Sequence, residues 1–285
     1  MKIKILSWPT FALLTIALLN TQVSRGQNSI EETYKVVGKD SLKMDIYLTG
    51  DQKKDKPAIV FFFGGGWKSG SRDQFRPHAL HFSQKGFVTI LVDYRVSSRQ
   101  QTSPFDAIED AKAAMKYVKK NAERLGLDSA KVIASGGSAG GHLAATTAII
   151  SGFEGTENRA ISSKPVALVL FNPVIDNGPA GYGYERVADR YKEVSPLHNL
   201  NKGVPPTLFL MGTKDQLIPV ATAQYYKATM EKIGSYCELI LYDGQPHGFF
   251  NFKNREIYEQ TIVETEAFLK KMELFPKTVN DQINN

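Results

Sequence analysis

Ser138 lies in Gly136-Gly137-Ser138-Ala139-Gly140, between a β-type run at 131–135 and a helix-forming stretch at 142–148. A serine on so tight a strand-to-helix turn tolerates only small neighbours, and the G-x-S-x-G spacing supplies them on both flanks. The turn lifts the hydroxyl above the sheet edge, beside the positive end of the helix that follows. A Gly-rich pentapeptide also serves as a plain change of direction, so a chemical role depends on partners elsewhere in the chain.

A serine hydroxyl becomes a nucleophile when a base takes its proton, and the base works when an acid fixes its tautomer and balances its charge. Five histidines compete for the first role. His78 and His81 fall in a helical pattern and His198 in a long connection. His142 sits four residues along the helix after Ser138, which carries it away from the hydroxyl. His247 follows the last strand candidate, in Gly244-Gln245-Pro246-His247-Gly248-Phe249, so its loop emerges at the strand ends where Ser138 points. For the acid, Asp215 follows the penultimate strand in Gly212-Thr213-Lys214-Asp215. Asp176 follows the strand before it and is the rival, while Asp243 stands uncomfortably close to His247 in sequence.

Acyl transfer also needs donors for an oxyanion. Phe63-Gly64-Gly65-Gly66-Trp67 follows an early strand candidate, and its glycines can expose backbone N–H groups. Gly64, Gly65 and Ala139 are the predicted donors. The loop also suits a flexible turn, but the G-x-x-x-x-G-K-[ST] pattern of a phosphate cradle is absent from the sequence.

These residues need a sheet to hold them. Strand candidates run over 44–48, 58–63, 88–93, 131–135, 166–171, 207–211 and 238–242, rich in β-branched and aromatic residues. Helical stripes separate them at 104–121, 221–233 and 256–272. Strands alternating with helices predict an α/β fold, a mostly parallel twisted sheet covered on both faces, with ligands at the carboxyl ends of the strands. One domain over 27–285 is the economical division. Residues 175–200, rich in Gly, Tyr, Arg and Asp, read either as an excursion over the site or as an ordinary long connection.

Composition narrows the class further. With 42% hydrophobic and 22% charged residues the chain reads as soluble and globular. Residues 1–26 combine basic Lys2 and Lys4, an interrupted apolar stretch and Ser24-Arg25-Gly26, which predicts a cleaved signal peptide, a secreted or periplasmic protein and no stable membrane anchor after cleavage. Cys237 is the sole cysteine, so neither an internal disulfide nor a multi-cysteine metal site is expected. The formal charge of +6 includes Lys2, Lys4 and Arg25 of that leader, and the remaining basic residues are scattered, which argues against nucleic acid. No motif in the sequence specifies an oligomeric state.

From about Tyr34 to Met272 the chain resembles the α/β-hydrolase superfamily, in its secreted esterase branch. Phe63-Gly64-Gly65-Gly66-Trp67, Val92-Asp93-Tyr94-Arg95, Gly136-Gly137-Ser138-Ala139-Gly140-Gly141, Gly212-Thr213-Lys214-Asp215 and Pro246-His247-Gly248-Phe249 occur in that family's order. It is similar to hormone-sensitive-lipase-like esterases but has Phe63 where their oxyanion motif begins with His, and Gly137 where their elbow carries Asp. These departures look more like the bacterial acetyl xylan and feruloyl esterase group. The resemblance implies carboxylic ester hydrolysis through an acyl-enzyme on Ser138, with His247 as base and then acid and Asp215 orienting it. No metal or organic cofactor is implied, and the partner is a small or polysaccharide ester. Trp67, Tyr182 and Tyr184 are candidates to stack on sugar rings or an aromatic acyl group, with packing as their other reading. A broad short-chain carboxylesterase and an inactive binding protein of the same fold are the competing expectations.

Overall fold

The computed structural model describes residues 29–49, 54–155, 158 and 160–276, so the expected leader at 1–26 lies outside the described residues. The elements in chain order are β1 (Ser29–Val37), β2 (Asp40–Tyr47), β3 (Lys56–Phe62), α1 (Arg76–Gln84), β4 (Val88–Val92), a one-turn α2 (Ser97–Gln100) and α3 (Pro104–Lys120). There follow a one-turn α4 (Ala122–Leu125), β5 (Leu127–Gly137), α5 (Ala139–Ile149), β6 (Ala167–Phe171), a one-turn α6 (Tyr184–Val187), β7 (Thr207–Gly212), α7 (Val220–Lys232), β8 (Cys237–Tyr242) and α8 (Arg255–Lys271).

The strands form one sheet in the order β1-β2-β4-β3-β5-β6-β7-β8. From β4 to β8 every neighbouring pair is parallel; only β1–β2 and β2–β4 run antiparallel. Alternation explains how the parallel strands serve two cores at once. In β3, Ala58, Val60 and Phe62 pack into one core with Ile108, Leu143 and Tyr226 of α3, α5 and α7, while Ile59 and Phe61 pack into the other with Phe82, Ile262 and Phe268 of α1 and α8. The sequence reading missed β1. Its Glu31, Thr33 and Val36 face water on an outer strand, which removes the continuous apolar signal that marks the inner ones.

Buried charge fixes α3 to the sheet. Asp110 is fully buried and accepts Arg95 Nε at 2.7 Å, Arg95 Nη2 at 2.8 Å and Lys35 Nζ at 2.7 Å. Losing either cation would leave a buried carboxylate short of a partner, a costly arrangement. At the start of α3, the Asp106 carboxylate accepts the Ser103 N–H at 2.9 Å. Among the described residues no helix is long and apolar enough to cross a membrane.

Parallel register brings the strand ends to one edge: Phe62 lies opposite Gly136, Gly137 opposite Phe171, and Gly212 opposite Tyr242. The loops that leave this edge carry Gly64, Ser138, Asn172, Asp215 and His247.

Candidate active site

Ser138 sits between β5 and α5 with φ +54°, a left-handed backbone that a side chain adopts only under constraint. The constraint is visible. Ser138 N–H donates to Phe171 O at 2.9 Å, and Ser138 O accepts from His142 N–H at 3.0 Å and Val174 N–H at 3.1 Å. A Cβ at Gly140 would run into the Phe62 carbonyl, and one at Gly137 into the Phe250 ring. The small flanks are therefore required by neighbours on the sheet and in the His247 loop. Phe250 also gives a physical reason for the missing Asp at 137: the ring already occupies that space.

His247 Nε2 lies 2.9 Å from Ser138 Oγ, and His247 Nδ1 lies 2.7 Å from Asp215 Oδ2. The other Asp215 oxygen accepts N–H bonds from Leu217 at 2.8 Å and Ile218 at 2.9 Å. Its side chain is wholly buried, whereas the His247 side chain keeps 21% of its surface open to solvent. A carboxylate so held is a fixed acceptor that points the imidazole's second nitrogen at the hydroxyl. Asp176 is elsewhere: its Oδ1 accepts Gly178 N–H at 2.8 Å and stands 3.8 Å from His198. His142 is sealed in the core with Nε2 3.0 Å from Val194 O, and burial pushes it down to about 4.

Beside Ser138 lies the glycine loop. Phe63 stacks on Tyr94 at 4.1 Å between centroids, and Tyr94 Oη donates to Phe63 O at 2.7 Å. A buried aromatic pair thus fills the place where the related motif has His. Gly64 was expected to be an oxyanion donor, and the structure corrects this: its N–H is given to Gln74 Oε1 at 2.7 Å. Among the described residues, no protein acceptor takes the Gly65 or Gly66 N–H, and Ala139, the first residue of α5, has no intrahelical acceptor for its own.

The predicted stacking aromatics part company. Trp67 is only 2% exposed, with its ring edge-on to His142 at 4.9 Å and 6.1 Å from Tyr182, so it packs and offers no open face. Tyr182 is half-buried against Gly66, under the Arg186 guanidinium at 5.4 Å. Tyr184 turns its hydroxyl to Asp189 at 3.1 Å. Residues 175–200 clasp the glycine loop: the Arg186 guanidinium donates to Gly66 O, and Asn177 Nδ2 donates to Tyr182 O at 3.1 Å.

Three amide side chains went unnoticed in the sequence. Gln74 Nε2 donates to Asn251 Oδ1 at 3.0 Å, and Asn251 Nδ2 donates to Gly248 O at 2.8 Å. Asn172 Oδ1 accepts Gly248 N–H at 3.1 Å. Single amides in loops carry no spacing signal. Only Asn172, directly after a strand whose end reaches the same edge as β5, had a readable position.

A serine, an imidazole and a carboxylate joined in a chain at the carboxyl edge of a parallel sheet are the arrangement of an α/β hydrolase. Comparison with known proteins agrees. The BD-FAE family model matches residues 44–181. Esterase 2 of Thermogutta terrifontis, in a structure phosphoramylated by tabun, is 40% identical with a TM-score of 0.84, covering 88% of this chain and 97% of that one. The same enzyme with propionate bound gives 39% identity and a TM-score of 0.82, covering 89% and 97%. LipM of Mycobacterium tuberculosis, a probable carboxylic ester hydrolase, is 27% identical over 68% of this chain and 49% of its own length. A probable isoprenylcysteine alpha-carbonyl methylesterase of Oryza sativa subsp. japonica is 23% identical over 72% and 55%. The chain spans about half the length of these curated relatives. It belongs to the α/β-hydrolase esterase family.

Proposed function

We propose that the protein is a serine carboxylesterase that removes short acyl groups, acting outside the cytoplasm on acetyl or feruloyl esters of xylan-type polysaccharides. The observation that carries the esterase reading is the chain Ser138 Oγ, His247 Nε2 at 2.9 Å, and Asp215 at 2.7 Å from His247 Nδ1. In this reading Ser138 Oγ attacks the ester carbonyl carbon while its proton passes to His247 Nε2. The oxyanion is met by the N–H groups of Ala139 and Gly65, with Gly66 as the second free donor of the glycine loop. Collapse of the tetrahedral species expels the alcohol, which takes the proton from Nε2. Water then attacks the acyl-serine by the same route and releases the acid.

The polysaccharide reading is supported by the departures at Phe63 and Gly137 and by the leader-like residues 1–26. Its nearness to Gly66 supports Tyr182, half-buried, as the aromatic assigned here to a sugar or acyl group. A second reading, a broad esterase of small soluble esters, is favoured by the related Thermogutta enzyme solved with propionate and with butyrate bound. Acetate release from acetylated xylan, assayed beside aryl acetate, propionate, butyrate and octanoate, separates the two. Turnover of the polymer with a fall beyond short chains is expected; activity on aryl esters alone favours the second reading, and activity on long chains alone defeats both.

A further inference from the structure

Asn172 follows the last residue of β6, is fully buried, and holds φ +35°, a left-handed value that Asn tolerates better than most residues. Its backbone N–H is tied to Leu210 O at 2.8 Å, so the side chain starts from a fixed point. From there it reaches the His247 loop twice. Oδ1 accepts the Gly248 N–H at 3.1 Å, and Nδ2 stands 3.3 Å from His247 Nε2.

The two contacts fix the direction of the amide. A backbone N–H can only donate, so the oxygen must face Gly248 and the NH2 group must face the imidazole. Gly248 is held from its other side as well, through its carbonyl to Asn251, then Gln74, then the Gly64 N–H. Asn172 therefore belongs to a run of amides that spans from the base to the glycine loop.

We propose that Asn172 is a positioning residue for His247: it pins the imidazole through Gly248 and, by presenting an N–H to Nε2, keeps that nitrogen an acceptor for the Ser138 proton. The inference rests on the serine esterase reading above. Only an unprotonated Nε2 can receive the Asn172 N–H, which selects the tautomer with its proton on Nδ1, toward Asp215. Once Nε2 has taken the proton from Ser138 Oγ, two N–H groups face each other, and the proton is urged on to the departing alkoxide. Asp215, from the loop after β7, is the charged side chain in ion-pair range of His247 among the described residues. Its other polar contacts, Ser138 from the elbow and Asn172 from the end of β6, are uncharged.

Asn172→Asp keeps the acceptor for Gly248 and the tolerance of positive φ, but turns the donor at Nε2 into a carboxylate that favours the imidazolium. The acid limb of its kcat/KM profile is expected to move up by about one pH unit or more. Asn172→Gly fits the backbone and removes both contacts, with an expected loss of about tenfold in kcat, little change in KM and a smaller upward move of the limb. Folded variants whose profiles superimpose on the parent, or fall evenly at every pH, overturn the proposal. Should neither variant fold, 15N spectra of the native imidazole decide: an unprotonated Nε2 coupled to the Asn172 amide supports it, and a proton resident on Nε2 overturns it. Ser138→Ala is assayed in parallel. Residual turnover there defeats the esterase reading itself, whereas a dead Ser138→Ala beside unmoved Asn172 profiles defeats only this inference.

Discussion

Among the described residues stand two clusters of serine, histidine and aspartate, built for different ends. Ser138, His247 and Asp215 use opposite nitrogens of the imidazole, Nε2 toward the serine and Nδ1 toward the acid. In Ser195, His198 and Asp176 both partners face the same nitrogen, Nδ1, at 2.8 and 3.8 Å. With both partners on one nitrogen, the acid cannot hold a proton on one side of the ring while the other side stays free to act as base toward the serine. Ser195 is also fully buried, accepts the Asn177 N–H at 3.1 Å and donates to Ile175 O at 3.2 Å, so its hydroxyl is spent on holding residues 175–195 together. Residue types recruit the same names to both places. The choice of ring nitrogen, access to solvent and unclaimed N–H groups nearby separate a reactive hydroxyl from a structural one.

The widest gap is expected at the serines. Ser138→Ala should lower turnover of a short aryl ester about a thousandfold or more with folding intact. Ser195→Ala should leave kcat near the parent value and instead lower stability by about 1–3 kcal/mol, read by urea denaturation. Equal losses of turnover in the two variants would erase the distinction.

The acids come next. Asp215→Asn keeps the size of the side chain but puts the wrong hydrogen-bonding group against Nδ1, and should cost about a hundredfold to ten-thousandfold in kcat/KM. Asp176→Asn still accepts the Gly178 N–H and should change kcat/KM little. A larger loss at 176 would move the acid there.

The smallest effect concerns histidines that solvent does not reach. Burial pushes His78 down to about 3 and His142 to about 4, from an ordinary 6.5. Between those values and 6.5 the unfolded chain binds protons that the native state refuses, so stability is full above about pH 6.5 and falls as pH drops. The slope is at most about 1.4 kcal/mol per pH unit for each residue. His78→Leu, placed in the same aromatic cluster, should make the decline between pH 6.5 and 4.5 shallower, measured by denaturant titration. An unchanged slope would mean that His78 is not a source of the acid sensitivity.

Much of this was legible beforehand, for physical reasons. Inner strands such as Val88–Val92 and Ala167–Phe171 are buried on both faces and so show as continuous apolar runs. Ser138, Asp215 and His247 each follow a strand of its own, and parallel register does the gathering. What escaped notice depends on side-chain direction rather than on position. The Gly64 N–H looked free because nothing in the sequence points Gln74 at it, ten residues away. Trp67 looked like an open platform because its burial comes from His142 and Tyr182, both distant in the chain. The amides at 74, 172 and 251 act only as a set, and a set of three spread over 177 positions leaves no pattern to read.

Gly137 and Phe250 share one volume, since a side chain at the first would enter the ring of the second. The two positions are thus interlocked in descent as well as in space. A lineage that gained an acidic residue before the nucleophile would first have to shrink the aromatic, passing through a form with a hole beneath the elbow; one that changed in the opposite order would pass through a collision. Either intermediate is handicapped. Sequences of this type should therefore divide into two camps, acid with a small residue or glycine with a ring, with few crossings between them.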